Sequence, residues 1–268
     1  MHDDPSPGYA IRTRALTRVF GTQVAVDQLS LQVPEGSFYG FLGPNGAGKS
    51  TTINILTGLL APTSGSAEVL GLDVVSHDLE VKRRIGVVPD GLHLFERLNA
   101  DEHLRFVGEI QGLAPAVARR RAGELLEAMD LAASARKPIS GFSHGMRKKL
   151  ALSCALIHDP RVLFLDEPFE GIDAIATREI RDLLHQLVAN RRVTVFLTSH
   201  VLEVVERLCT HVGIVARGQL VAEGSLDSLR AVAGGGTRTL EEVFLEKVGA
   251  PRSDAGAGLD WLTHGESA

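Results

Sequence analysis

A chain of 268 residues, 44% hydrophobic and 23% charged, is long enough for one large core or two modest ones and too apolar to remain disordered. Its 28 basic against 33 acidic residues leave a net charge of −5, which excludes a global attraction to nucleic acid or to an anionic membrane surface. The start, MHDDPSPGYAIRTR, is acidic without an apolar signal core, and no apolar window reaches the ~18 residues of a membrane span, so neither signal-peptide export nor a bilayer crossing is expected.

In chain order, residues 1–8 are expected to form a flexible leader, followed by strands over Tyr9–Val19 and Gln28–Val33 with a turn at Phe20-Gly21-Thr22. Pro34-Glu35-Gly36 turns the chain into a short apolar strand, Phe38–Leu42, which runs directly into GPNGAGKST. That stretch (Gly43, Pro44, Asn45, Gly46, Ala47, Gly48, Lys49, Ser50, Thr51) reads GxxxxGKS between a strand and a helix predicted over Thr51–Leu60. Its glycines leave the backbone uncrowded, so the loop N–H groups and the helix start can cradle a phosphate chain. Lys49 then reaches the β- and γ-phosphates as a point charge, and Ser50 gives its hydroxyl to the Mg²⁺ of a nucleoside triphosphate.

A turn-rich stretch, 57–65, leads to a strand at Ser66–Leu70, a polar helix at Asp78–Arg84 and a buried strand at Ile85–Val88 that ends at Pro89-Asp90. The early strands are expected to form an antiparallel sheet beside the phosphate-binding core. From Asn99 to Leu156 apolar residues recur at helical spacing, which predicts a helical insert over about 96–156. The alternation then changes to strand Arg161–Leu165, helix Ala174–Asn190, strand Val193–Leu197 and helix Val201–Cys209, the signature of a parallel sheet. Val212–Ala216 and Gln219–Ala222 close as a hairpin through Arg217-Gly218. Helices around Ser228 and over Leu240–Val248 are expected to flank a Gly234-Gly235-Gly236 linker, with a mobile end from Pro251. Cys154 and Cys209 stand in apolar surroundings without metal-ligand spacing, as two reduced core thiols would.

In VLFLDEP, Val162–Pro168, an apolar strand delivers Asp166 to its C-terminal end, where a carboxylate can hold Mg²⁺ through water. Glu167 faces the triphosphate end and can orient or deprotonate an attacking water. After the strand VTVFL, His200 is either a donor to the γ-phosphate or a cap on the next helix.

Together these motifs resemble the nucleotide-binding domain of ABC transporters over residues from about 10 to 225. The resemblance implies an α/β P-loop NTPase with a RecA-like parallel core, an antiparallel β subdomain and a helical subdomain that carries the family signature. It implies an ATPase domain over 9–225 and a C-terminal helical extension over 226–268. Glu167 becomes the catalytic glutamate, Gly171-Ile172-Asp173 the D-loop and His200 the switch histidine. Phe20 becomes the adenine-stacking aromatic, with a plain core role as the other reading.

The signature LSGGQ is replaced by Phe142-Ser143-His144-Gly145-Met146, with His144 in place of a glycine while Ser143 and Gly145 remain to meet a γ-phosphate. Ser143 can equally cap its helix. Where the family usually has a glutamine after an apolar strand and proline stands Asp90, a carboxylate that can ligate Mg²⁺ or be a simple loop acid. Gly91-Leu92-His93-Leu94-Phe95 is either a docking surface or core. The resemblance further implies ATP and Mg²⁺ as cofactors, a second ATPase subunit bound head-to-tail, a transmembrane permease partner and a peripheral place on the cytoplasmic face of the membrane. FSHGM and the ending LEEVFLEKVG look like exporters of the ABC-2 kind. Two rivals stay open. An ATP-gated regulatory module with weak hydrolysis is suggested by Asp90 and His144, and a soluble nucleic-acid or ribosome-associated ATPase by the cassette alone, although no basic face supports direct nucleic-acid binding.

Overall fold

Three apolar runs, FYGFL, VLFLD and TVFLTS, are buried at every position, as a central parallel strand covered on both faces requires. The computed structural model describes residues 8–190, 193–232 and 239–249. Its first half comprises β1 (Tyr9–Phe20), β2 (Gln23–Leu29), β3 (Gln32–Pro34), β4 (Phe38–Leu42), α1 (Lys49–Leu56), β5 (Ser64–Val69), β6 (Leu72–Asp73), α2 (Asp78–Lys82) and β7 (Ile85–Val88). Helices α3 (Ala100–Ile110), α4 (Pro115–Ala128) and α5 (His144–Leu156) follow. The chain continues through β8 (Val162–Asp166), α6 (Ala174–Ala189), β9 (Thr194–Ser199), α7 (Leu202–Leu208), β10 (His211–Ala216), β11 (Gln219–Ser225), α8 (Leu226–Val232) and α9 (Leu240–Val248).

Two sheets result. The six-stranded sheet runs β11-β10-β4-β9-β8-β7, parallel from β10 to β7 with β11 returning antiparallel. The five-stranded sheet runs β2-β1-β5-β6, with β3 also paired to β1, and is antiparallel throughout. Because neighbouring side chains on a strand face opposite ways, the larger sheet serves two cores. Tyr39, Phe41, Phe164 and Phe196 pack toward the antiparallel sheet with Ile11, Leu29 and Val33 and with Ile53, Ile55 and Leu56 of α1. Phe38, Leu42, Leu163, Leu165, Val195 and Leu197 face the other way, into a core shared with α3 to α9. In register, Leu42 stands beside Ser199 and Asp166 beside Thr198, so the ends of β4, β8 and β9 open at one edge.

Two expected elements differ. The strand expected over Gln28–Val33 is split into β2 and β3, and most of β2 precedes that window. Gln23, Asp27 and Gln28 interrupt its apolar pattern because β2 is half exposed, and Gln28 adopts φ +47 beside a register irregularity. The helix expected over Thr51–Leu60 begins earlier, at Lys49, and stops at Leu56. There Thr57 donates its hydroxyl to the Ile53 carbonyl, Gly58 turns at φ +68, and the Leu59 and Leu60 N–H groups both fold back onto the Asn54 carbonyl.

Between β7 and β8 lie α3 to α5, with α3 started by a capping box between Asn99 and Glu102. At the C-terminal end, Glu206 of α7 accepts hydrogen bonds from Arg230 of α8 and from the Leu240 N–H of α9. Cys154 and Cys209 are free, and burial pushes the Cys154 thiol up to about 12 and Cys209 higher still. No described helix is long and apolar enough to cross a membrane. Of the expected leader only Gly8 is described, its carbonyl accepting from the Glu35 N–H at 2.8 Å; the glycine linker 234–236 and the tail from Pro251 lie outside the described residues.

Candidate functional site

The loop leaving β4 closes onto α1 through Gly48, at φ +100. A Cβ there would lie 2.4 Å from the Ala25 carbonyl oxygen, so neither conformation nor space admits a larger residue. Gly46, at φ +78, meets open space on the cavity side. Helix α1 starts without a side-chain cap, which leaves the N–H groups of its first turn to a ligand. The loop is braced from behind: Gly218 N–H donates to the Ala47 carbonyl at 3.0 Å and Asp27 N–H to the Gly218 carbonyl at 2.9 Å. Lys49 is 7% exposed, and its ammonium donates to the Gly43 carbonyl at 2.8 Å and the Pro44 carbonyl at 3.4 Å.

At the same sheet edge, Asp166 ends β8 with 7% exposure and accepts a 2.6 Å hydrogen bond from the Thr198 hydroxyl of β9. That hydroxyl accepts in turn from the Glu167 N–H at 3.1 Å. Glu167 takes φ +48, an uncommon left-handed turn for a side-chain-bearing residue, and this aims its carboxylate back over the loop. One carboxylate oxygen lies 3.7 Å from the Lys49 ammonium and the other 3.1 Å from Nδ1 of His200. Beneath it, Lys148 of α5 donates to the Glu167 carbonyl at 2.6 Å. Burial lowers the Lys148 pKa, against the attraction of Asp90, Glu170, Glu167 and Asp166.

The phosphate loop, Asp166, Glu167 and His200 line a cavity of about 560 Å³. It brings together Phe20, Asn45, Gly46, Gly48, Lys49, Ser50, Thr51, Asp90, Asp166, Glu167 and His200. Gly43 and Ala47 are buried behind the loop, and Gly43 and Pro44 serve it through their carbonyls. Phe20 is 45% exposed, with the Arg18 guanidinium 4.5 Å from its ring centre, so it is no core residue. His200 does not cap α7, whose cap position is Val201 without a side-chain bond. Among the described residues no three His, Cys, Asp or Glu side chains converge as ready-made metal ligands. Ser50 and Asp166, both on the cavity, suit a cation that arrives with the phosphates and takes its remaining ligands from them and from water.

Sequence reasoning did not single out Gln23, Ala25 and Glu170 on the cavity wall, nor Thr198 and Lys148 behind it. Thr198 carried a signal, as a hydroxyl at the end of a buried strand next to His200, whereas Lys148 was hidden in the run Arg147-Lys148-Lys149.

The family model "ABC transporter" matches residues 26–170. The bacitracin transport ATP-binding protein BcrA of Bacillus licheniformis is 40% identical over 220 residues, covering 82% of this chain and 71% of that protein. The daunorubicin resistance ATP-binding protein DrrA3 of Streptomyces coeruleorubidus is 41% identical over 226 residues, covering 84% and 71%. The solved structure of an ATP-binding subunit of an ABC transporter superposes with a TM-score of 0.82 at 29% identity, covering 89% of this chain and 99% of that one. The chain belongs to the ABC transporter family.

It is an ATP-binding and ATP-hydrolysing cassette of that family, with the α/β P-loop fold. In this ABC cassette Ser143 and Gly145 lie outside the cavity that holds Lys49. Ser143 caps α5 by accepting from the Met146 N–H at 3.2 Å, and a Cβ on Gly145 would lie 3.2 Å from Cβ of Ala176 and 3.6 Å from Asp173. His144 is exposed beside Gly171. The cassette therefore presents its phosphate loop and its Ser143 loop as separate surfaces. Of the segment 91–95, Phe95 is 55% exposed while Leu92 and Leu94 are partly buried against the core, so it is neither all surface nor all core.

Proposed function

We propose that this chain is the ATPase subunit of an ABC exporter and that Glu167 is the base of its hydrolytic step. The observation that carries this reading is the placement of the Glu167 carboxylate between Lys49 and His200 on a cavity also lined by Ser50 and Asp166. The triphosphate follows the loop 43–48 into the start of α1, with Lys49 exchanging carbonyl oxygens for β- and γ-phosphate oxygens. Ser50 and Asp166 would hold the Mg²⁺, which would neutralise phosphate charge, and Asp90 is a further carboxylate on the same cavity that could ligate it. Glu167 takes a proton from the attacking water, which is the work of a carboxylate with one face toward the phosphate. His200 donates to the γ-phosphate and orients Glu167, while Phe20 stacks on the base.

The separation of Ser143 and Gly145 from the cavity supports a head-to-tail pair in which one copy's Ser143 loop covers the other copy's nucleotide. The relatives' descriptions as transport and resistance ATP-binding proteins support a separate permease chain and a peripheral position on the cytoplasmic face of the membrane. The relatives' names, bacitracin transport and daunorubicin resistance, support outward movement of a small natural product as the work done. We assign residues 9–225 to the ATPase unit and the part from 226 on to an extension. The test is Glu167→Gln in the full chain: ATP affinity is retained, hydrolysis collapses, and ATP with Mg²⁺ drives the protein into a dimer on a sizing column. A variant that hydrolyses at the parent rate and stays monomeric sinks the assignment.

A further inference from the structure

A lysine with 3% exposure needs a reason, because a buried ammonium is costly unless it is bonded. Lys148 belongs to α5, the helix that begins at Ser143, but its ammonium leaves the helical segment and donates to the main-chain carbonyl of Glu167 at 2.6 Å. The other side of the same residue is held by the parallel sheet, through the 3.1 Å bond from the Glu167 N–H to Thr198. Glu167 is thus gripped from both sides while it adopts φ +48. One grip belongs to the sheet, and the other is only as fixed as the helix that supplies it. A carboxylate on such a residue swings whenever its own peptide is rotated, because φ and ψ are the soft coordinates of the backbone.

We propose that Lys148 is a positioning residue for hydrolysis, which makes the aim of the Glu167 carboxylate depend on where α5 and the helical segment stand. The inference rests on the reading of Glu167 as the base. It gives a physical route by which movement of the helical segment reaches the attacking water of its own copy without any contact between α5 and the phosphates of that same site. The attraction of Asp90 and Glu170 also acts on this ammonium, against the cost of its burial.

The test compares the full chain with Lys148→Met, Lys148→Arg and Glu167→Gln. Phosphate release at saturating ATP and Mg²⁺, KM, affinity for labelled ATP and thermal midpoint are measured for each. Displacing a reacting group by about an ångström costs roughly 100-fold, so Lys148→Met is expected to lower kcat about 10- to 100-fold. ATP affinity stays within about threefold, the split expected of an interaction that matters only in the transition state. Lys148→Arg, which keeps a donor of similar reach, recovers most of the turnover. A Lys148→Met protein with parent kcat beside an inactive Glu167→Gln overturns the inference and leaves the base assignment intact. Loss of affinity and thermal midpoint in parallel with turnover, with no rescue by arginine, also overturns it, as that is the pattern of a packing role. Should the methionine variant not fold, Lys148→Gln keeps a polar head without the reach and is expected to give the same split; parent turnover in that variant overturns the inference. A Glu167→Gln protein that turns over like the parent sinks the base assignment, and the inference with it.

Discussion

The residues that line and back the nucleotide cavity are held on different physical terms according to whether they are buried or exposed. On the sheet side, Lys49 and Asp166 are each 7% exposed and Thr198 is fully buried, and each is tied by a hydrogen bond to a neighbouring strand end or loop carbonyl. Phe20, Asp90 and Glu170, by contrast, are exposed and stand at a strand end or on loops. Strand ends fixed by a parallel ladder hold charge in place at no reorganisation cost, which is what a transition state needs. Charge on exposed groups is screened by water, which suits them to adjusting binding rather than to holding a transition state. The departures from the family pattern that the sequence displays, Asp90 and His144, both fall on exposed positions.

That contrast can be broken most forcefully at Lys49. Lys49→Ala removes the fixed counter-charge for the phosphates, and truncating one partner of a buried charge pair costs roughly 2–5 kcal/mol, so affinity for ATP falls by about 30-fold to several thousand-fold. A titration with labelled ATP checks it, and unchanged affinity would mean that the loop alone binds. Next in size is Thr198→Val, which keeps the shape but removes the bonds to Asp166 and to the Glu167 N–H. With hydrogen bonds to charged groups worth about 1.5–3 kcal/mol, turnover should fall roughly 10- to 100-fold and the melting temperature should drop as well.

How far the site was readable from sequence follows the same division. The β4–loop–α1 unit, β8 with Asp166-Glu167, and His200 are contiguous: an apolar run names the strand and the residues at its end name the chemistry. Thr198 and Lys148 escaped because their partner, Glu167, lies 31 and 19 residues away, and no local pattern records such a bond. Strand β2 escaped because its exposed half carries Gln23 and Asp27 where an alternation was sought. The left-handed backbone of Glu167 has no sequence signature either, since the residue is not a glycine and its conformation is imposed by the strands and the helix around it.

Smaller effects are expected on the exposed side. Phe20→Ala loses an aromatic contact worth about 0.5–1.5 kcal/mol, so ATP affinity falls roughly three- to tenfold. Inorganic triphosphate, which has no base to stack, should bind the parent and the variant alike in a competition assay; a loss for both ligands would place Phe20 in loop support instead. The smallest change belongs to Asp90. Asp90→Asn removes a charge beside the phosphates, so ATP binding becomes less dependent on Mg²⁺, and Asp90→Gln leaves hydrolysis intact or raises it. Binding curves over a Mg²⁺ series that coincide for the parent and both variants would remove Asp90 from the nucleotide.

The division of labour between held and exposed groups is tested most directly by one paired measurement. Phosphate release at saturating ATP and Mg²⁺ is followed for Glu167→Gln and Asp90→Gln beside the parent, with labelled-ATP affinity measured on the same preparations. The Glu167 change should reduce turnover by at least about 100-fold at retained affinity, since it removes the proposed base, while the Asp90 change should leave turnover at or above the parent's. Parent-like hydrolysis by Glu167→Gln, or a collapse of hydrolysis in Asp90→Gln, would contradict the account.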